Sequence, residues 1–191
     1  MYLTEDFYMI DFEDFGIKPL SGLHIELRSM TDTDWSNYVL HVVNAGEFFI
    51  QYGQEPTEEL LECINTMTLG VIYYAVYLKQ ENVMVGYVGV APETGNLEFY
   101  IFKEFRKIGI GTDAVNLLIG LWFSGRITGN RETEIEAETL SQNTAAVRLL
   151  EKLGFQKDAV GIRVTLSEKG TNRNAISLYS YSKRSDVIDK T

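Results

Sequence analysis

A mixed α/β fold, of the α+β kind in its ordering, is what this chain's pattern predicts, on three observations. Period-two apolar strings alternate along the chain with apolar stripes at helical spacing. A strand runs into a glycine turn that opens a helix, Asn96 to Ala114 (NLEFYIFKEFRKIGIGTDA). The 191 residues, 45% hydrophobic and 23% charged, suffice for one sizeable core, so a single domain is the default. The expected architecture is a mixed central sheet of about seven strands flanked by about four helices.

Each element has its own warrant. Leu23, Ile25 and Leu27 alternate with His24, Glu26 and Arg28, the period of a half-buried strand. Asp32 can cap the helix that follows, in which Trp35, Tyr38, Val39 and Val42 recur on one side. An aromatic cluster, Phe48, Phe49 and Tyr52, interrupts the pattern before Pro56 opens a second helix carrying Leu60, Leu61, Ile64 and Met67. Val71 to Leu78 and Val83 to Ala91 are rich in β-branched and aromatic residues and read as a hairpin across KQEN. Pro92 to Gly95 then turns the chain into a third strand, Asn96 to Phe102. The helix after Gly111 buries Val115, Leu118, Ile119 and Trp122; Glu134 to Leu140 is another strand. Ala146, Leu149, Leu150 and Leu153 form the inner stripe of the last helix, which Gly154 ends in the left-handed position while Phe155 closes over its final turn. Val160, Ile162, Val164 and Leu166 alternate again, SEKGTNRN is a polar turn, and Ala175 to Ser182 completes a final hairpin.

Charge and composition narrow the function classes. Asp and Glu outnumber Lys and Arg, 27 to 17, and no basic stripe appears, which argues against a nucleic-acid partner. The formal charge of −10 makes a field that favours a cationic substrate over an anionic one. One cysteine, Cys63, cannot staple the fold, and it forms no ligand cluster with His24 and His41, so no metal is expected. The N-terminus is acidic where a secretory signal is basic, and no apolar run approaches the roughly 18 residues of a membrane span. A cytoplasmic protein without membrane attachment is the expectation.

The element order β-α-α-β-β-β-α-β-α-β-β, with Arg106-x-x-Gly109-x-Gly111 at a strand-to-helix junction and Asn143 to Phe155 (NTAAVRLLEKLGF) around the last helix, resembles the GNAT superfamily of acetyl-CoA-dependent N-acetyltransferases. The last-helix signature looks most like the branch containing the Rim-type ribosomal-protein N-terminal acetyltransferases. The likeness runs from about Leu23 to Tyr181, and the layout it implies is an N-terminal extension over 1–20, one acetyltransferase domain over 21–184 and a tail over 185–191.

The resemblance implies a site with coenzyme A as its ligand. Backbone amides from Arg106 through Lys107, Ile108, Gly109, Ile110, Gly111 and Thr112 would hold the pyrophosphate, since the glycines allow close approach and the helix points its positive end there. A splay between the strand at Phe99 to Phe102 and the strand at Ile135 to Thr139 would admit pantetheine, with Ile101 and Phe102 as contacts and Asn143 reaching the same arm. Capping the last helix is the other role open to Asn143. An amine nucleophile must lose a proton, and Glu138, with Glu136 on its side of the strand, matches the Rim-type position of the base. Glu98 and Tyr100 share a face on the opposite lip, although alternating Glu residues can equally be solvent-facing. Leu150 stands where many relatives place the Tyr that protonates the leaving sulfur, leaving Tyr100 as a candidate acid. Trp35, Tyr38 and Phe48 to Tyr52 lie where relatives build the acceptor wall, and are equally at home in a core.

The expected activity is transfer of acetyl from acetyl-CoA to a primary amine, on a small molecule or a protein N-terminus, by a monomer or homodimer. A non-catalytic acyl-CoA-binding module is the second reading. A Rossmann-type nucleotide domain is disfavoured because the glycines follow an antiparallel hairpin rather than open a βαβ unit.

Overall fold

The computed structural model describes residues 20–21, 24–47, 70–130, 132–166 and 173–185, and its strands form one mixed sheet. In chain order the elements are β1 (Leu20–Ser21), β2 (Ile25–Ser29), α1 (Asp32–Asn44), β3 (Ile72–Leu78), β4 (Val83–Val90), β5 (Asn96–Ile101) and a short turn of 3-10 helix (Lys103–Phe105). Then come α2 (Ile110–Phe123), β6 (Glu134–Leu140), α3 (Thr144–Lys152), β7 (Gln156–Leu166) and β8 (Arg173–Arg184). The spatial order is β1-β2-β3-β4-β5-β6-β8-β7, antiparallel everywhere except between β5 and β6. Setting aside the two-residue β1, this is the expected mixed sheet of seven strands. The helix expected after Pro56, the Phe48 to Tyr52 cluster and the polar turn before β8 lie outside the described residues. No helix among the described residues is long and apolar enough to cross a membrane.

Strand alternation divides the core into two layers. Val76, Val88, Leu97, Ile101 and Ile135 face α2 and α3, where Leu118, Trp122 and Leu150 fill the interior. Ala75, Tyr87, Tyr100 and Phe102 face the other way, onto Tyr38 and Val42 of α1. Helix α1 starts one residue earlier than the expected Asp32 cap. Thr31 is the cap: its hydroxyl oxygen accepts from the Asp34 N–H at 3.2 Å, while the Asp34 carboxylate accepts from the Thr31 N–H at 3.0 Å. Asp32 instead sits in the first turn, where its charge suits the helix dipole. At the end of α3, Gly154 has φ +83°, and the Phe155 N–H donates to the Leu150 carbonyl at 3.0 Å, as its position predicts.

Two irregularities prepare the site. In β4, Val76 faces Gly86 and Tyr77 faces Met84, so Val85 is the extra residue of a bulge. Gly86 then lies so close to β5 that a β-carbon there would be 2.1 Å from the Tyr100 carbonyl oxygen. The second is the β5/β6 junction, whose parallel pairing comprises Asn96 with Glu136 and Leu97 with Ala137. Beyond those pairs β5 runs on to Ile101 and β6 to Leu140 without joining, which is the splay anticipated from the resemblance.

Candidate acetyl-transfer site

The splay leaves main-chain groups of β5 facing a gap. Adjacent residues of a strand point their N–H and C=O groups to opposite sides. The Ala91 N–H donates to the Asn96 carbonyl and the Phe102 N–H donates to the Val85 carbonyl, so even-numbered residues of β5 bond to β4. Gly95 turns the other way, its carbonyl accepting from the Glu136 N–H at 2.9 Å. Phe99 and Ile101 therefore present their backbone to the gap. Of the two expected pantetheine contacts, Ile101 faces it, whereas Phe102 has its N–H committed to β4 and its side chain buried under α1.

Past Ile101 the chain makes a compact loop. Lys107 adopts φ +67° and Gly109, the N-cap of α2, φ +96°. The first backbone bond of the helix runs from the Asp113 N–H to the Gly109 carbonyl at 3.1 Å. Among the described residues none provides an acceptor for the N–H groups from Lys107 to Thr112. These donors, the positive end of a 14-residue helix and the exposed Lys107 fit a diphosphate. Gly111 packs where α2, α3 and β5 converge: a β-carbon there would lie 3.2 Å from Leu149 Cδ1 and 3.4 Å from Ile101 Cγ1. Asn143 is placed at the N-terminus of α3, where its Oδ1 accepts from the Ala146 N–H at 3.2 Å. The capping role is thus filled, and its amide nitrogen has no partner among the described residues.

The Arg106 side chain turns away from this loop. Its Nε donates to the Ile101 carbonyl at 2.7 Å, and its two terminal nitrogens donate to the two Glu47 carboxylate oxygens at 2.8 and 2.6 Å. The guanidinium lies 5.1 Å from the centre of the Tyr100 ring, and the Tyr100 hydroxyl donates to Glu47 at 2.5 Å. The paired guanidinium holds the Glu47 carboxyl below its usual range, against the opposing effect of burial. Burial first, and then the bond to Glu47, push the Tyr100 phenol far up. A phenol whose proton is held this way is a poor acid, which counts against Tyr100 in that role. Leu150, at the position of the absent Tyr, is fully buried in the core.

The carboxylates proposed for proton transfer share one sheet face. With Asn96 opposite Glu136 and Leu97 opposite Ala137, the next residues in register are Glu98 and Glu138, where the strands part. Glu98 is half-buried and accepts from the Tyr73 hydroxyl at 2.9 Å. Glu138 is exposed, with the Ser180 hydroxyl at 3.4 Å, and Glu136 is exposed beside it. Sequence reasoning missed Glu47 and Tyr73, whose partnerships span 59 and 25 residues. The one sequence signal for the second was a glycine, Gly89, inside a strand.

The family model "Acetyltransferase (GNAT) domain" matches residues 24–156. Among solved structures, the ribosomal-protein-S5-alanine acetyltransferase from Vibrio fischeri is similar at 18% identity over 90% of this chain and 98% of that one, TM-score 0.66. The GNAT-family acetyltransferase from Bacillus anthracis is similar at 18% identity over 87% and 98%, TM-score 0.65. A ribosomal L7/L12 α-N-protein acetyltransferase in complex with coenzyme A is similar at 13% identity over 90% and 100%, TM-score 0.65. No curated protein matches the sequence. Structural likeness at such identities speaks to the fold, and the family match, covering well over half of the chain, speaks to the chemistry: the chain belongs to the GNAT acetyltransferase domain family and is an acyl-CoA-dependent acetyltransferase.

Proposed function

We propose that the protein acetylates a primary amine by direct attack of that amine within a ternary complex. When bound, acetyl-CoA supplies an acyl group activated as a thioester. The backbone from Lys107 to Thr112 holds the diphosphate, and the gap-facing main chain of Phe99 and Ile101 takes the pantetheine arm as a further strand would. The observation that carries the reading is the coincidence of unclaimed donors at the start of α2 with the strand pair that parts after Leu97 and Ala137. The Ile101 N–H polarises the thioester carbonyl, as a backbone oxyanion donor does.

The acceptor enters as an ammonium ion, with a pKa of about 8 for a peptide terminus and about 10 for a lysine-like amine. Glu98 or Glu138 takes one proton from it, directly or through water, and the freed nitrogen forms the new C–N bond as the C–S bond breaks; the second ammonium proton leaves the nitrogen as the adduct collapses, passing to the departing thiolate or to water. The departing thiolate has a conjugate acid of pKa about 8.5, taking cysteine as the guide, so it needs no strong acid at neutral pH. A buried Leu150 is compatible with turnover on this account. The ribosomal-protein acetyltransferases among the structural neighbours make a protein N-terminus a leading acceptor, beside polyamines and aminoglycosides.

Incubation with acetyl-CoA and a panel of such amines, followed by free thiol, should give release above background with at least one acceptor. Silence with every acceptor would reject the reading.

A further inference from the structure

Register places three residues in one row on the α1 face of the sheet: Tyr73 of β3 opposite Gly89 of β4, and Gly89 opposite Glu98 of β5. One strand, β4, separates Tyr73 from Glu98, a distance a tyrosine spans only if that strand presents no side chain. Gly89 presents none. A β-carbon at Gly89 would lie 2.5 Å from Tyr73 Cδ1 and 2.9 Å from Tyr73 Cε1, so the ring lies directly across the glycine. Its hydroxyl thereby reaches Glu98 Oε2 at 2.9 Å.

The ring is also held from the sides. Trp35 of α1 meets it edge-on at 4.8 Å between centroids and 82° between planes, and Tyr87 does so at 5.5 Å and 80°. Such packing leaves the hydroxyl little freedom, and one oxygen of Glu98 is fixed with it. The other oxygen, Oε1, has no partner among the described residues. Glu138, the competing carboxylate, is exposed, and its one hydrogen bond among the described residues is a 3.4 Å contact from a serine hydroxyl. A base works best when it is held within reach of its proton, and of the two carboxylates Glu98 is the one so held.

We infer that Tyr73, lying across Gly89, is a positioning residue that orients Glu98 as the carboxylate receiving the acceptor's proton. The inference rests on the acetyl-transfer reading above and assigns the base within it. Tyr73 does not itself touch substrate on this account. Its hydroxyl fixes one carboxylate oxygen so that the other meets the amine, and the absence of a side chain at Gly89 makes that reach possible.

Steady-state kinetics of the full chain with acetyl-CoA and the best amine from the panel would test this, using wild type, Tyr73→Phe, Glu98→Gln and the double variant. Tyr73→Phe keeps the ring and removes only the hydroxyl. It should lower kcat about tenfold while leaving the KM for acetyl-CoA and the melting temperature nearly unchanged. Glu98→Gln should cost more, and the double variant should fall within about twofold of Glu98→Gln alone, because the hydroxyl acts only through the carboxylate. Gly89→Ala, which displaces the ring without touching Glu98, should reproduce the loss in kcat. Multiplicative losses in the double variant, or full kcat in Tyr73→Phe, would overturn the inference. Full rate in Glu98→Gln with an active wild type would overturn it too while leaving acetyl transfer standing, with Glu138 as the base. A wild type that releases no thiol with any acceptor removes both.

Discussion

Arg106 combines a loop position with a side chain that serves another part of the molecule. Its backbone opens the loop before α2, while its guanidinium joins the end of β5 to Glu47 beyond α1. Because the side-chain surfaces of Arg106 and Glu47 are only 34% and 17% exposed, removing one partner leaves a poorly solvated charge behind. Glu47→Gln should therefore cost about 1–3 kcal/mol at neutral pH. The sign of its pH dependence follows from the lowered Glu47 pKa. A carboxyl held below its unfolded value stabilises the fold above that value, here 4.5, and the contribution is lost as pH falls through the folded value. Urea melts at pH 7 and at about pH 3 should show the gap between wild type and Glu47→Gln narrowing on acidification; a constant gap would mean the ion pair is not its source. Asn143 permits an equally direct separation of roles. Asn143→Ser keeps a capping oxygen, so stability should fall by only a few tenths of a kcal/mol, whereas Asn143→Ala should cost about 1 kcal/mol. If the amide nitrogen also serves the pantetheine arm, both variants should raise the KM for acetyl-CoA. A Ser variant with wild-type KM would assign Asn143 to capping alone.

At the level of elements, the loop before α2 depends on backbone that only glycine adopts without strain. Gly109 has φ +96°, yet nothing lies within 4 Å of where its β-carbon would be. Gly109→Val therefore meets no clash, and its cost is conformational, about 1–2 kcal/mol. The distorted donor set should raise the KM for acetyl-CoA about tenfold with the KM for the amine unchanged, which initial-rate measurements would resolve. Parallel rises in both constants would instead indicate general loosening. Much of this element was legible in advance, because glycines at 109 and 111 following a strand signal both the turn and the helix start. Helix periodicity likewise marked α2 and α3, and Gly154 marked the end of α3. The β4 bulge was not legible. VMVGYVGV reads as an unbroken apolar strand, and Val85 becomes the extra residue only because Gly86 must approach the Tyr100 carbonyl. The Thr31 cap was missed for a related reason: TDTD offers several capping residues, and the reciprocal bonds with Asp34 decide among them. The link from Tyr73 to Glu98 is set by sheet register, and that from Glu47 to Arg106 by the meeting of the segment after α1 with the loop after β5, neither of which a local pattern encodes.

For the molecule as a whole, the sheet separates two tasks. The α2 and α3 side carries the larger core and the loop proposed to hold the cofactor, while the α1 face carries Glu98, Glu136 and Glu138 around the opening. Coenzyme A is itself strongly anionic, and a chain of formal charge −10 repels it at long range. That places the burden of cofactor capture on short-range donors at the start of α2, while the same field attracts a cationic acceptor to the carboxylate face. The two substrates should consequently respond to salt in opposite directions. Raising ionic strength from about 0.01 M to 1 M shortens the screening length from about 30 Å to about 3 Å. With acetyl-CoA saturating, kcat/KM for a polyamine should fall over that range, and more steeply than for a singly charged peptide. With the amine saturating, kcat/KM for acetyl-CoA should hold level or rise. Equal salt responses for acceptors of different charge would show that the acidic face exerts no steering, and would shift the explanation of acceptor choice to the shape of the acceptor site.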